Sequence, residues 1–292
     1  MARHPTEQPP LHMTTREVAA LLRVKERKVY DLAAAGEIPH RRITGKLLFP
    51  RAEVMDWAGI GASALADRPL VLAGSHDPLL EWAVRESGSG LAMILNGSGD
   101  GLRRFADRQA AVAGIHVHEQ EGWNVETVED WRLTGCVLLA WAARRRGLVL
   151  SGEAGRRVSK IADLRGARVA FRQPESAAAQ LFEEFLRHSE MSPDDLVPAG
   201  GFAWTESEAA AAVAAGEADA AVGIEAMARQ YKLPFLPLIE ERFDLLVDRR
   251  AYFTEPVRVL LDFAAGVTIR QKAEAMGGYR LEDTGAVRWL SP

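Results

Sequence analysis

Short apolar runs alternate with amphipathic stretches from residue 68 to the C-terminus, and this alternation constrains the fold more than any other feature of the chain. The apolar runs predict short buried strands, and the stretches between them predict helices. Such an order is typical of an α/β fold with largely parallel sheets, whose ligands lie beyond the carboxyl ends of the strands. The predicted strands are Leu70–Ala73, Leu91–Leu95, Ala111–Val117, Gly135–Ala140, Leu148–Leu150, Arg168–Arg172, Ala220–Val222 and Phe243–Val247. The predicted helices include Asp77–Glu86, Leu102–Gln109, Ala177–Arg187 and Glu206–Ala215.

Residues 13–58 have a different pattern, which predicts a small helical head in front of this body. Thr14 or Thr15 can cap a first helix. A second helix is expected from about Glu26 to Ala35, and Gly36 ends it in a left-handed conformation. Two short helices joined by a tight turn form a helix-turn-helix unit.

A hairpin and a third helix follow these two helices. His40 to Pro50 predicts two short strands around Gly45, with basic residues on both arms. Helix, turn, helix, hairpin and helix is a winged arrangement, in which the second helix faces the major groove of DNA and the wing can reach phosphates. We expect Tyr30, Leu32 and Trp57 to form the small core of the head.

The head resembles the excisionase-type, MerR-like helix-turn-helix family over its whole length. The matching sequence is MTTREVAALLRVKERKVYDLAAAGEIPHRRITGKLLFPRAEVMDWA, with the Thr-x-x-Glu-Val-Ala-x-Leu-Leu opening, the Tyr-x-Leu-x-x-x-Gly-x-Ile-Pro centre and the Phe-Pro-Arg close. The resemblance implies binding to a double-stranded DNA operator. The DNA-binding residues that it implies are Arg27 and Lys28 on the second helix and Arg41, Arg42 and Lys46 in the wing.

The charge distribution agrees with a DNA-binding head. Residues 1–60 contain 10 Lys and Arg against 7 Asp and Glu, whereas the whole chain has a formal net charge of −4. A compact basic patch on an otherwise acidic protein suits a localised polyanion contact, although a solvated charged surface would have the same composition. Cys136 is the only cysteine, and no apolar run is long enough to span a membrane. We therefore expect a cytoplasmic protein without a disulfide and without a membrane partner.

Three predicted strand-to-helix junctions in the body share one chemistry. They comprise residues 74–78 (Gly-Ser-His-Asp-Pro), residues 96–101 (Asn-Gly-Ser-Gly-Asp-Gly) and residues 173–176 (Gln-Pro-Glu-Ser). Each places small hydroxyl residues and free backbone N–H groups at a helix N-terminus, which is an anion-binding arrangement. Helix capping alone explains one such junction, and three in one body favour a ligand site.

The body resembles the type II periplasmic binding protein fold, and in particular the cytoplasmic binding-protein-like domain that is fused to helix-turn-helix heads or to molybdopterin-biosynthesis enzymes. The stretches that carry the resemblance are LVLAGSHDPLLEWA, LAMILNGSGDGLRRFADRQAAVAGIHVH, DLRGARVAFRQPESAAAQLFEEFL, AAVAAGEADAAVGIEAMARQY and ERFDLLVDRRAYF. It implies two lobes that close around a small molecule, with chain crossings near Arg165–Arg168 and Glu241–Asp244.

The resemblance also implies a ligand between the lobes, with molybdate or tungstate as the leading candidates. A dianion in a closed cleft needs many N–H and O–H donors. Glu225 departs from this chemistry, because an ionised carboxylate repels an oxyanion. A molybdenum-cofactor precursor or another small anionic metabolite is therefore the alternative ligand. The implied ligand-binding residues are Ser75, His76, Asn96, Ser98, Arg172, Gln173, Ser176 and Glu225.

Together these features predict a ligand-responsive transcription regulator that acts as a homodimer and uses no cofactor. The predicted organisation is a flexible N-terminus (1–12), a winged helix-turn-helix domain (13–58), a linker (59–67) and a two-lobed domain (68–292) with its second lobe at about 168–241. An enzyme is disfavoured, because no nucleophile, catalytic carboxylate pair or cofactor loop is recognisable. His116 and His118 alternate on one strand, but no third ligand is evident, so we predict no metal site. An excisionase-like architectural DNA protein is the remaining alternative.

Overall fold

The computed structural model describes residues 10–22, 24–43, 45–57 and 68–291. The chain forms two compact units that separate between Asp67 and Arg68. The predicted linker at 59–67 and residues 1–9 of the predicted flexible N-terminus lie outside the described residues. His12, the last residue of that predicted segment, begins a strand instead. No described helix is long and apolar enough to cross a membrane.

The head has a three-stranded antiparallel sheet of order β1-β3-β2 beside its helices. Thr14 caps the first helix: its backbone N–H donates to Glu17 Oε2 at 2.7 Å, and its Oγ1 accepts from the Glu17 N–H at 3.3 Å. Gly36 follows the second helix with a φ of +72°, as the sequence predicts. The elements are β1 (His12–Thr14), α1 (Thr15–Leu22), α2 (Glu26–Ala34), β2 (Arg41–Ile43), β3 (Lys46–Pro50) and α3 (Arg51–Trp57).

An apolar core holds the head together. Val29 and Ala33, one helical turn apart, place α2 against this core, and Leu32 packs at its edge. The prediction that Tyr30 and Trp57 belong to the core is wrong, since their exposed fractions are 53% and 43%. Helical periodicity places Tyr30 outside the buried stripe of α2, which Val29 and Ala33 form. The aromatic side chain of Tyr30 by itself therefore did not indicate burial.

The body contains the remaining elements, in the α/β order that the sequence predicts. Its helices are α4 (Pro78–Glu86), α5 (Ser98–Ala106), α6 (Val125–Asp130), α7 (Ala154–Arg157), α8 (Ala177–His188), α9 (Glu206–Ala214), α10 (Glu225–Gln230), α11 (Glu255–Ala264) and α12 (Val267–Met276). Its strands are β4 (Val71–Gly74), β5 (Ala92–Ile94), β6 (Val112–Ile115), β7 (His118–Glu119), β8 (Gly122–Trp123), β9 (Cys136–Leu150), β10 (Arg168–Ala170), β11 (Val197–Pro198), β12 (Ala220–Ile224), β13 (Phe235–Asp248), β14 (Tyr279–Arg280) and β15 (Val287–Leu290).

Most of these strands join one sheet of order β11-β10-β12-β9-β13-β6-β4-β5. At one end β4 pairs in parallel with β5 and β6, and at the other β10 pairs in parallel with β11 and β12. Between them β9 and β13 pair antiparallel along most of their length. The body therefore has two lobes, each with a small parallel sheet, and two long antiparallel strands connect them.

The strand β9 departs from the prediction of two strands at Gly135–Ala140 and Leu148–Leu150, because it is continuous. Its first half pairs with the first-lobe part of β13, and its last residues pair with β12 of the second lobe. The chain thus enters the second lobe near Arg146, earlier than the crossing predicted at Arg165–Arg168. The intervening arginines have the composition of a loop, which hid the continuous strand in the sequence.

Each lobe has its own apolar core. The first-lobe core contains Leu80, Trp141 and Phe243, and the second-lobe core contains Leu148 and Phe182. Burial of each such side chain contributes about 1.5–3 kcal/mol. The buried polar residues at the boundary between the lobes belong to neither of these two clusters.

Candidate ligand cleft and DNA-binding face

Arg144 and Arg146 lie on β9 at the point where the first lobe meets the second. Residues two apart in a strand share one face of the sheet. Arg144 is 1% exposed and Arg146 is fully buried, whereas the side chain of Arg145 between them is 49% exposed. Because burial of an unpaired guanidinium is costly, these two positions require partners from the surrounding elements.

Glu241 on β13 contacts both arginines and is itself fully buried. Arg144 Nε donates to Glu241 Oε1, and Arg146 Nε donates to Oε2 at 2.6 Å. His116 Nδ1, from the segment after β6, lies 3.2 Å from the same Oε2. Its ring stacks on Phe243 with 5.8 Å between the centroids. Glu241 therefore connects the first lobe to the middle of β9.

Glu206, the first residue of α9, provides the second-lobe partner. Arg146 Nη2 donates to Glu206 Oε1 at 2.7 Å, and Arg172 Nη1 donates to the same oxygen at 2.8 Å. The backbone N–H of Glu206 donates to His76 Nδ1 of the first lobe at 3.4 Å. Contacts from both lobes thus converge on one buried residue, through its carboxylate and its backbone N–H.

Asp77 fixes the other end of the cluster in the first lobe. Its side chain caps α4 by accepting from the Leu80 N–H at 2.7 Å. It also accepts from Arg144 Nη1 at 2.7 Å, from the Tyr279 hydroxyl at 2.7 Å and from Trp141 Nε1 at 3.2 Å. Four donors hold this carboxylate, which in turn positions Arg144.

The formal charges of this buried network balance. Three arginines face three carboxylates, beside one histidine. Burial lowers the pKa of His116, although Glu241 opposes the shift, so the imidazole is neutral at pH 7. Burial would raise the pKa of both glutamates, but the neighbouring arginines outweigh it and hold each pKa below its usual range. We call this network the hinge cluster, and its members are Asp77, His116, Arg144, Arg146, Arg172, Glu206 and Glu241.

Several buried polar atoms in and beside the hinge cluster have no hydrogen-bond partner among the described residues. They include the donors Arg144 Nη2 and Arg146 Nη1, His116 Nδ1, the acceptor Glu206 Oε2, and both polar atoms of the Gln173 side chain. The Gln173 residue is only 5% exposed. An unsatisfied buried polar group costs about 1–3 kcal/mol. Such a concentration makes the boundary between the two lobes the candidate site for a polar ligand.

Ser75 and Ser98, two of the predicted ligand-binding residues, lie together at the first-lobe side of this boundary. Their hydroxyl oxygens are 2.8 Å apart, and Ser98 Oγ accepts from the His116 N–H at 3.2 Å. Gly97 precedes Ser98 and touches the second lobe: a Cβ placed on it would lie 3.6 Å from Gln173 Nε2. The structure therefore brings these two serines and Gln173 to one boundary.

Ser176 and Arg172 are also at this boundary, but their polar atoms are already bonded. Ser176 Oγ accepts from the Ala179 N–H at 3.1 Å as the cap of α8, and it donates to the Gln173 carbonyl at 2.8 Å. Arg172 Nε and Nη2 donate to carbonyls of the second lobe, both at 3.1 Å. These two residues shape the cleft instead of offering free donors to it.

The remaining predicted residues have three different environments. His76 is buried, with its Nε2 3.0 Å from Glu81 Oε2 in addition to its Glu206 contact. Asn96 is exposed. Glu225 pairs with Arg145 at 2.6 Å and with Arg229 at 2.7 Å, outside the hinge cluster. Its negative charge is thus compensated locally, which removes the conflict with an anionic ligand that the sequence raised.

The two histidines weighed as metal ligands have separate partners. His116 belongs to the hinge cluster, and His118 Nδ1 lies 2.9 Å from Glu184 Oε2 on α8. His118 therefore bridges the two lobes. No group of three or more His, Cys, Asp or Glu side chains in the described residues could hold a metal ion.

The sequence patterns did not indicate the buried ion pairs beside the candidate site, which involve Arg144, Arg146, Glu206 and Glu241. The detectable signal was Arg144 and Arg146 at strand spacing inside the apolar sequence LLAWAARRRGLVL. Two charges on the buried face of one strand require buried counter-charges. Their partners are distant in sequence, so only the fold identifies them.

The second helix of the head presents a basic exposed face. Arg27 and Lys28 are both exposed, as are Arg42 and Lys46 of the wing. Tyr30 lies one turn after Arg27 on the exposed side of α2.

Arg41, the fifth residue implied for DNA binding, differs from the other four because it has an ion-pair partner. It pairs with the exposed Glu53 of α3 at 2.9 Å. Four of the five implied residues therefore carry cations without an ion-pair partner among the described residues.

Comparisons with known proteins agree with this two-part organisation. The model of the PBP superfamily domain matches residues 80–265, and a helix-turn-helix domain model matches residues 13–59. An uncharacterized protein of Bacillus subtilis, YvgK, is 23% identical over 94% of this chain and 96% of its own length. An uncharacterized protein from the 5′ region of a ferredoxin gene of Clostridium pasteurianum is 30% identical over 37% of this chain and 96% of its own length.

A likeness to a solved structure supports the fold. An H2O2-bound cysteine mutant of OxyR from Corynebacterium glutamicum has a TM-score of 0.51 and 12% identity, and the match covers 90% of this chain and 89% of that one. The combined domains support a ligand-responsive DNA-binding regulator. The chain belongs to the PBP superfamily domain family and carries a helix-turn-helix domain at its N-terminus.

Proposed function

We propose that this protein is a cytoplasmic transcription regulator whose DNA affinity is set by a small anion bound between the two lobes, beside the hinge cluster. One observation carries the proposal: Gln173 is 5% exposed, yet neither polar atom of its side chain has a partner among the described residues. Unpartnered guanidinium nitrogens of Arg144 and Arg146 lie in the adjoining hinge cluster. Such free N–H groups are the donors that an anion needs in a site closed to water.

Molybdate or tungstate is the first proposed effector. The internal charges of the hinge cluster balance, so the negative charge of the ligand would be met by spare N–H donors and by helix N-termini. The N-terminus of α5 and that of α8 come from opposite lobes and approach each other where Gly97 meets Ser176. A tetrahedral oxyanion accepts from many donors at once, which suits this convergence.

An anionic metabolite that also carries a hydroxyl or amino group is the second candidate. Glu206 Oε2 and Gln173 Oε1 are acceptors without donors among the described residues. A fully ionised oxyanion has no hydrogen to give them, whereas a hydroxy or amino acid has. This observation favours a ligand that carries both an anionic group and a hydrogen-bond donor. A comparison of bare oxyanions with such metabolites therefore decides between the two candidates.

Thermal unfolding of dialysed protein tests the proposal. Molybdate, tungstate, sulfate, phosphate and a panel of hydroxy and amino acids would be added to the wild type, to Gln173→Ala and to the matched control Gln180→Ala, which changes an exposed glutamine on α8. An effector at 100 times its Kd stabilises the body by about 2.7 kcal/mol. We expect a shift with the wild type and the control, and none with Gln173→Ala.

The outcomes separate the candidates. A shift with molybdate or tungstate alone supports the bare oxyanion, and a shift only with compounds that also donate hydrogen bonds supports the metabolite. A Gln173→Ala variant that responds like the wild type overturns the cleft assignment. No response to any compound, from ligand-free protein that still binds DNA, favours the architectural alternative. Analytical ultracentrifugation tests the proposed homodimer, because a head this small needs two copies to reach two half-sites.

A further inference from the structure

The second lobe contains a cavity of about 430 Å³, whose lining includes Arg172 but not Ser75, Ser98 or Gln173. Phe171, Phe182 and Phe202 line it together with several prolines and aliphatic residues. Small-molecule sites have volumes of about 300–1,000 Å³ and mostly apolar walls. We call this space the second-lobe cavity. Its size and lining fit a small aromatic molecule.

Two of the three charged residues that line the second-lobe cavity are acidic. Glu183 and Asp194 line it, both are exposed, and neither has an ion-pair partner among the described residues. Arg172 is the cation at the wall, but its guanidinium is committed to Glu206 and to two backbone carbonyls. The free charge available to an occupant is therefore that of two carboxylates.

From this combination we infer that the second-lobe cavity binds an aromatic or aliphatic molecule that carries a positive charge, such as a hydrophobic amine. The apolar body of the molecule would pack among the three phenylalanines, and its ammonium group would face Glu183 and Asp194. Aromatic faces also attract a cation. Phe202 is 55% exposed, so apolar surface is available at this site without unfolding of the lobe.

Arg172 gives this site a contact with the hinge cluster. Arg172 lines the second-lobe cavity, and its Nη1 donates to Glu206 Oε1 at 2.8 Å. A molecule in the cavity would therefore pack against a side chain that belongs to the hinge cluster. A ligand in the second-lobe cavity would therefore lie next to the network that joins the lobes. A surface depression elsewhere on the lobe would have no such contact with the hinge cluster.

Isothermal titration of the full-length protein tests the inference with three probes of similar shape: 2-phenylethylamine, 2-phenylethanol and phenylacetate, which are cationic, neutral and anionic at pH 7. Affinity should fall in that order. The Glu183→Gln/Asp194→Asn variant should weaken amine binding by about five-fold and leave the alcohol unchanged, since each exposed ion pair is worth a factor of a few. The matched control Glu86→Gln removes an exposed charge in the first lobe and should change nothing.

A second variant tests the cavity itself. Ala179→Leu adds volume to the wall and should abolish binding of both the amine and the alcohol. Equal affinities for the three probes, or an amine affinity that neither variant changes, overturn the inference, and so does the absence of measurable binding by all three. The titrations are repeated with Gln173→Ala, so that binding in the cleft, including that of the anionic phenylacetate, is told apart from binding in the second-lobe cavity. The failure of this inference and the failure of the proposed function are then separate results.

Discussion

Replacement of Glu241 by glutamine tests whether the hinge cluster stabilises the body through buried charge. Glu241 is fully buried and accepts from Arg144 Nε and Arg146 Nε, with His116 beside it. The amide of glutamine keeps one acceptor but turns an N–H toward the other guanidinium, and it leaves one buried positive charge uncompensated.

The expected loss of unfolding free energy follows from this environment. Breaking a buried ion pair by neutralising one partner costs about 3–5 kcal/mol. For a domain of this size, each kcal/mol lowers the Tm by roughly 2–4 °C, so the transition of the body should fall by roughly 6–20 °C. The matched control is Glu240→Gln on the same strand, where the side chain is 43% exposed and pairs with Arg280. An exposed pair of this kind contributes at most about 1 kcal/mol.

The pH dependence provides an independent check. The folded-state pKa of Glu241 is held below the unfolded value, so its stabilising contribution is present above the unfolded pKa and is lost as pH falls toward the folded pKa. The difference between wild type and Glu241→Gln should therefore be constant from pH 6 to 8 and shrink in acid. Urea unfolding followed by tryptophan fluorescence measures it. A loss no larger than that of Glu240→Gln would refute the assignment of buried charge to this position.

Burial raises the pKa of Asp244 to about 6, so its own contribution to the unfolding free energy should fall by about 1–3 kcal/mol as pH rises from 4 to 6, and urea unfolding of wild type and Asp244→Asn should show this change as a pH-dependent difference between the two proteins. Gly101→Ala should lower the Tm, because the new Cβ would overlap the backbone of Gly74 and push α5 away from β4; calorimetry that shows an unchanged Tm contradicts the close packing. Arg27→Ala should weaken DNA binding and reduce the salt slope by about one unit in fluorescence anisotropy, while Arg258→Ala, an exposed arginine of the body, should alter neither.

Local sequence patterns predicted much of the head and the order of the body. The capping Thr14, the left-handed Gly36 and the basic residues of α2 act over a few positions, so their effects are visible without a fold. The prediction for Tyr30 failed because its burial depends on which face of α2 meets the sheet. Similarly, Glu225 is compensated by Arg145, whose position opposite it is a property of the folded body.

The sequence by itself determined the two-part organisation, the helix-turn-helix head and the α/β body, because helical and strand periodicities and turn residues are local. It also indicated the loops that carry Ser75, Ser98 and Gln173. Only the tertiary structure decided that β9 runs unbroken through both lobes and that Arg144 and Arg146 are buried in it. Their counter-charges come from β13, α9 and the residue that caps α4, far apart along the chain. Pairing over such separations depends on the completed fold, which is why the hinge cluster could not be predicted from the sequence.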